Sequence, residues 1–215
     1  MRDKVKLVYT NSSPYARKVR ACILHFQWLE IEEVMLHPFE NEAIVRKLNP
    51  LGKIPILEFK GQQLMDSEVI IRFLKRFFGH KHEPCLSELK CLTLCQGLMD
   101  AAVNLRVDFV RKTPADWWTQ RLKSSIVETL DELQKQCGQT LLTKSDGHLA
   151  ISLVCAAEYL EFRHSELMDI KDEEINLLRR HASPRKTMWM FLGGFTAGTA
   201  ASLATYYAVN QISEN

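Results

Sequence analysis

Apolar and polar positions change period several times along the first 78 residues. Val5 to Thr10 is an apolar run of strand length, and it meets Asn11-Ser12-Ser13-Pro14, a turn followed by a helix start. Ser13 suits the N-cap, and Pro14 suits the first helical position, where no backbone N–H is needed. Val19, Cys22, Ile23 and Phe26 then recur at helical spacing to about Gln27, and Glu30 to Leu36 alternates as a second strand. Glu40 to Leu48 predicts a short helix stopped by Asn49-Pro50-Leu51-Gly52. Ile54 to Phe59 reads as a strand with proline near its start, and a turn centred on Gly61 leads to a strand at Gln63-Leu64-Met65. Asp66-Ser67 opens an amphipathic helix with Val69, Ile70, Phe73 and Leu74 as its apolar stripe. The order β-α-β-α-β-β-α predicts an α/β unit, a four-stranded mixed sheet with helices on its faces.

Beyond the sheet the period is helical: Leu86 to about Lys112, a helix opened by Thr113-Pro114-Ala115-Asp116 and running to about Gln136, His148 to Phe162, and Glu173 to Arg180. The predicted organisation is an α/β domain at 1–78, a linker at 79–85, an all-α domain at 86–187 and a hydrophobic helix at 188–209.

Composition narrows the function without naming it. With 46% hydrophobic and 25% charged residues the chain is globular, and a net charge of +2 offers no basic footprint for nucleic acid. The six cysteines include no Cys-x-x-Cys pair, and scattered thiols suit a reducing compartment. Cys91 and Cys95 share a helix face, for which core packing is the simpler role. The histidines show no ligand spacing, so no metal is expected, and the N-terminus lacks the apolar stretch of a secretory signal, which points to a cytoplasmic protein.

Three features sit at spacings that make sense together: Ser13-Pro14-Tyr15, Asn49-Pro50-Leu51-Gly52-Lys53-Ile54-Pro55, and Asp66-Ser67. Together they resemble the glutathione transferases, closest to the bacterial branch with a catalytic serine, over Val5 to about Met188 and most strongly in the first 75 residues. The resemblance implies a thioredoxin-like N-terminal domain, a cis bond before Pro55, and glutathione as co-substrate. It implies that the Ile54 backbone pairs with the cysteinyl backbone of glutathione, with Lys53 in the same binding loop, and that Asp66 and Ser67 hold the γ-glutamyl ammonium and carboxylate. A helix N-terminus suits such a carboxylate. Ser13 is the catalytic candidate, its hydroxyl donating to the glutathione sulfur so that thiolate, the nucleophile, is favoured.

Other readings of these residues stand beside that one. Ser13 can serve as a helix cap alone, Ser12 can be the donor, and Tyr9 or Tyr15 can be core tyrosines or sulfur donors. Arg17, Lys18 and Arg20 read as a solvated helix face or as an attractor of the glutathione carboxylates. Met99, Asn104, Arg106, Asp108 and Phe109 are candidates for the wall facing a small electrophilic second substrate, whose identity the sequence leaves unknown. The family opens the helix matching His148–Phe162 with a capping box, but Gly147 and Ala150 stand in its places here. The expected activity is conjugation of glutathione to an electrophile, by a homodimer; the alternative is a non-catalytic, metaxin-like or stringent starvation protein-like scaffold. A thiol-disulfide reductase of this fold would want cysteine at Ser13.

Met188 to Val209 carries no charge and follows Arg179, Arg180, Arg185 and Lys186. As a helix its 22 residues would span about 33 Å, enough to cross a bilayer. Trp189 and Tyr206-Tyr207 suit the interfaces, and Gly194, Gly198 and Ser202 form a small-residue face. The segment is a candidate membrane anchor with the enzyme on the cytoplasmic side; a helix folded onto the protein is the alternative.

Overall fold

In the computed structural model, which describes residues 4–112, 114–137 and 139–167, the strands are β1 (Val5–Tyr9), β2 (Ile31–Met35), β3 (Ile56–Phe59) and β4 (Gln62–Met65). They form one sheet in the order β2-β1-β3-β4, with β1 parallel to β2 and antiparallel to β3. Central β1 buries Val5, Leu7 and Val8, as a strand covered on both faces should. Edge strands β2 and β4 carry the polar residues Glu32, Glu33, Gln62 and Gln63 instead.

Helices α1 (Pro14–His25) and α3 (Ser67–Phe77) pack on each other, while α2 (Glu42–Leu48) brings Val45 into a cluster with Val8, Ile54 and Ile56. The second half is helical: α4 (Leu86–Arg111), α5 (Trp117–Gln136), α6 (Gln139–Lys144) and α7 (His148–Arg163), with a 3-10 turn at Ser165–Leu167. Buried α7 packs against α4 and also against α1, joining the helical half to the sheet half. The fold is a thioredoxin-like mixed sheet followed by helices.

Differences from the expected boundaries have local causes. β3 begins at Ile56 rather than Ile54, because Pro55 has no N–H to give the ladder. The cap of α5 is Asp116, whose Oδ1 accepts from the N–H groups of Trp118 and Thr119, both at 3.0 Å. Gly147 gives α7 no side-chain cap, but Asp146 Oδ1 accepts from His148 N–H at 3.2 Å and partly replaces it. Helix α6 was not anticipated. The expected helix at Glu173–Arg180 and the segment 188–209 lie outside the described residues; among those described, no helix is long and apolar enough to cross a membrane.

Candidate functional site

Sheet register decides where the three sequence motifs go. Val8 of β1 is paired with Ile56 of β3, and Ile56 with Met65 of β4. β1 leaves that row toward Ser13, β3 enters it from Pro55, and β4 leaves it into Asp66. Residues far apart in sequence are therefore gathered at one end of the sheet.

Ser13 is the N-cap of α1: the Ala16 N–H donates to its Oγ at 3.2 Å. A hydroxyl has one hydrogen and two lone pairs, so capping uses an acceptor position and leaves the hydrogen available. The helix-cap and sulfur-donor readings are compatible. The two tyrosines have other occupations. Tyr9 lies under the Arg20 guanidinium, 4.1 Å from the ring centroid, and Tyr15 donates to Asp100 Oδ1 on α4 at 2.6 Å. Burial, then the Asp100 bond and charge, push the Tyr15 phenol well above its ordinary range.

The short basic run of α1 is not a solvated face. Arg17 pairs with Glu158, Arg20 with Glu33, and Lys18 is fully buried against Glu68 and Gln96. With a carboxylate facing each one, these cations serve the fold's own acids. A signal existed for Lys18, which stands four residues before Cys22 and next to Val19, on the apolar stripe of the helix.

The loop before β3 is shaped by Asn49, which the sequence marked as a helix stop and the head of the loop motif but gave no bracing role. Asn49 is 1% exposed; its side-chain amide donates to Lys53 O at 2.7 Å and its Oδ1 accepts from Leu51 N–H at 3.0 Å. Gly52 takes φ +65° at the bend, the left-handed region that favours glycine. Ile54 is buried in the α2 cluster, the Ile54-Pro55 peptide is cis, and Lys53 is exposed.

Asp66 is the N-cap of α3, with φ +75°; its Oδ1 accepts from Glu68 N–H at 2.9 Å and Val69 N–H at 3.1 Å. Ser67 follows, 2% exposed, and its Oγ is buried with no hydrogen-bond partner among the described residues. An orphaned hydroxyl at the start of an 11-residue helix, whose Glu68 and Val69 N–H groups the Asp66 cap already takes, is a donor that an α-carboxylate can use. The residue after Ser67, Glu68, was not singled out from sequence. Burial alone would raise its pKa, but bonds to His148 and Lys18 outweigh that and hold it at about 2.

Of the second-substrate candidates, Met99 is fully buried in the core, Asn104 and Phe109 are exposed, and Arg106 stacks over the Phe109 ring at 4.9 Å. Cys91 and Cys95 are buried, and burial pushes both thiols up, as core packing implies. His82, Glu88 and Asp146 bring ligand-type atoms within 4.8 Å of one another. They are already satisfied, His82 by Glu88 at 2.9 Å and Asp146 by Lys75 at 2.8 Å.

Residues 7–82 match the sequence family described as Glutathione S-transferase, N-terminal domain. Over 172 residues, 74% of this chain and 83% of the other, the sequence is 28% identical to YibF, an uncharacterized GST-like protein of Escherichia coli (strain K12). A glutathione transferase family member from Pseudomonas fluorescens Pf-5, solved with bound glutathione, superposes with TM-score 0.74 at 29% identity, covering 86% of this chain and 97% of that one. A glutathione S-transferase from Methylobacillus flagellatus KT, also with glutathione bound, gives TM-score 0.74 at 26% identity over the same shares. The chain is thus glutathione transferase-like in the sequence of its N-terminal domain and in its fold.

Proposed function

We propose that the protein binds glutathione, favours its thiolate and transfers the sulfur to a small electrophile. The observation that carries this is the Val8–Ile56–Met65 row, which delivers the Ser13 helix start, the Ile54-Pro55 loop and the Asp66-Ser67 helix start to one end of the sheet. Bound glutathione in two similar structures supports the choice of ligand. In this reading the Ile54 backbone pairs with the cysteinyl backbone, and Lys53 lies in the same loop. Asp66 faces the γ-glutamyl ammonium with the oxygen not used in capping, and the Ser67 N–H and hydroxyl take the carboxylate. The thiol proton leaves to solvent, the Ser13 hydroxyl donates to the thiolate, and a sulfur electron pair forms the new S–C bond as the electrophile's leaving group or π pair departs. The working form is a homodimer in the cytoplasm, organised as domains 1–78 and 86–187, with 188–209 as its membrane anchor.

Titration calorimetry of the full-length chain with glutathione, beside conjugation of a generic aryl halide by wild type and Ser13→Ala, tests the reading. Saturable binding with turnover that falls in Ser13→Ala is expected. Absence of binding overturns the proposal, and binding without turnover makes the protein a glutathione-binding scaffold.

A further inference from the structure

The least expected group in the fold is a lysine with no exposed surface. Lys18 Nζ on α1 meets Glu68 Oε1 at 2.5 Å and Gln96 Oε1 on α4 at 2.9 Å. Glu68 is the second residue of α3, and its other oxygen, Oε2, faces His148 Nε2 on α7 at 3.4 Å. His148 is 5% exposed, and its Nδ1 lies 3.3 Å from Lys75 Nζ, which pairs in turn with Asp146 Oδ2 at 2.8 Å. An ammonium can only donate, so Nδ1 accepts and the neutral ring carries its hydrogen on Nε2, the nitrogen on the Glu68 side. Lys18 of α1 and His148 of α7 therefore approach one carboxylate directly, while Gln96 of α4 braces Lys18, and Lys75, itself paired with Asp146 in the turn before α7, braces His148.

That carboxylate belongs to the residue between Ser67 and Val69. The Glu68 N–H donates to Asp66 Oδ1, so a displacement of Glu68 moves the Asp66 cap and the Ser67 hydroxyl with it. A buried ion pair generally gives no more stability than apolar residues of the same volume, so stability alone does not explain a charge here. What its surroundings do supply is a fixed position: Lys18 bonds the carboxylate, Gln96 braces Lys18, and His148 faces the other oxygen, all from outside α3.

We infer that Glu68 is a positioning residue for the glutathione site, holding Asp66 and Ser67 in register for the γ-glutamyl group, and that His148 and, through Lys18, Gln96 make this register depend on the helical half. The inference rests on the glutathione reading above. Two variants separate positioning from folding. Glu68→Gln leaves the Lys18 charge buried without a carboxylate, whereas Lys18→Met/Glu68→Gln removes both charges and so restores melting temperature toward wild type.

Binding of glutathione and of cysteinylglycine, which lacks the γ-glutamyl group, is measured by calorimetry on the full-length chain and both variants. The expected result is a loss of roughly tenfold or more in glutathione affinity in both variants, the re-stabilised double variant included, with cysteinylglycine affinity unchanged. Wild-type glutathione affinity in the double variant overturns the inference and leaves the glutathione reading standing. An equal loss for both ligands overturns it too, since general damage does not discriminate. Failure of the wild type to bind glutathione overturns both.

Discussion

Replacing Ser13 in two ways separates its two roles. Ser13→Ala removes the acceptor that takes the Ala16 N–H at 3.2 Å, and loss of an N-cap of this kind costs about 1 kcal/mol. It also removes the hydroxyl hydrogen. A hydrogen bond to a charged group is worth roughly 1.5–3 kcal/mol, and one pKa unit corresponds to about 1.4 kcal/mol, so the bound thiol should titrate about one to two units higher in the variant. Ser13→Asp keeps a good cap and adds a charge that suits the N-terminus of α1, but places that charge beside the sulfur. Its unfolding free energy should stay within about 0.5 kcal/mol of wild type while its thiol titrates at least as high as in Ser13→Ala. Urea unfolding reads the first quantity, and the ultraviolet absorbance of the thiolate, followed against pH with glutathione bound, reads the second. If glutathione bound to Ser13→Ala titrates as it does on wild type, Ser13 caps a helix and has no part in the chemistry.

Two further predictions follow from the polar network and the turn before α7. Stability should fall on acidification in two stages: first below about pH 6.5, because burial lowers the His148 pKa more than Glu68 restores it, so protons favour the unfolded chain; then from pH 4.5 toward 2 as Glu68 takes up its proton, with about 3 kcal/mol lost over that range. Urea midpoints measured from pH 7 to 3 check this, and a flat profile, or one unchanged by Glu68→Gln at its acid end, would contradict it. Gly147→Ala should cost about 3 kcal/mol, because Gly147 has φ +95° and a Cβ there would stand 2.3 Å from His25 Nε2, which is bonded to Asp146 O at 2.9 Å. A loss below about 1 kcal/mol in urea unfolding would show that the turn adapts freely.

What the sequence made legible was local. Ser13-Pro14 placed the start of α1, and the stripe at Ile70 and Leu74 placed α3, because caps and periodicity act within a turn or two. The short α6 carries too few residues to display a period. Lys18 looked like a solvated cation because its partners lie 50 and 78 residues away, a distance over which spacing says nothing. The site divided the same way: its motifs were readable, while the positive φ of Asp66, the isolated Ser67 hydroxyl and the bracing by Asn49 arise only when separate segments meet.

The meeting itself is enforced by residues that do no chemistry. Leu7 faces Leu57 and Val8 faces Ile56 across β1 and β3, all four buried. Because side chains alternate, a slip of one residue in β3 would turn the face that carries Ile56 away from Val45 and Val8. The same slip would move the Ile54-Pro55 loop by about 3.3 Å relative to Ser13, more than a hydrogen bond can stretch. Core packing therefore fixes the site to within one residue of register, and polar groups such as Glu68 are left to set the finer alignment of Asp66 and Ser67.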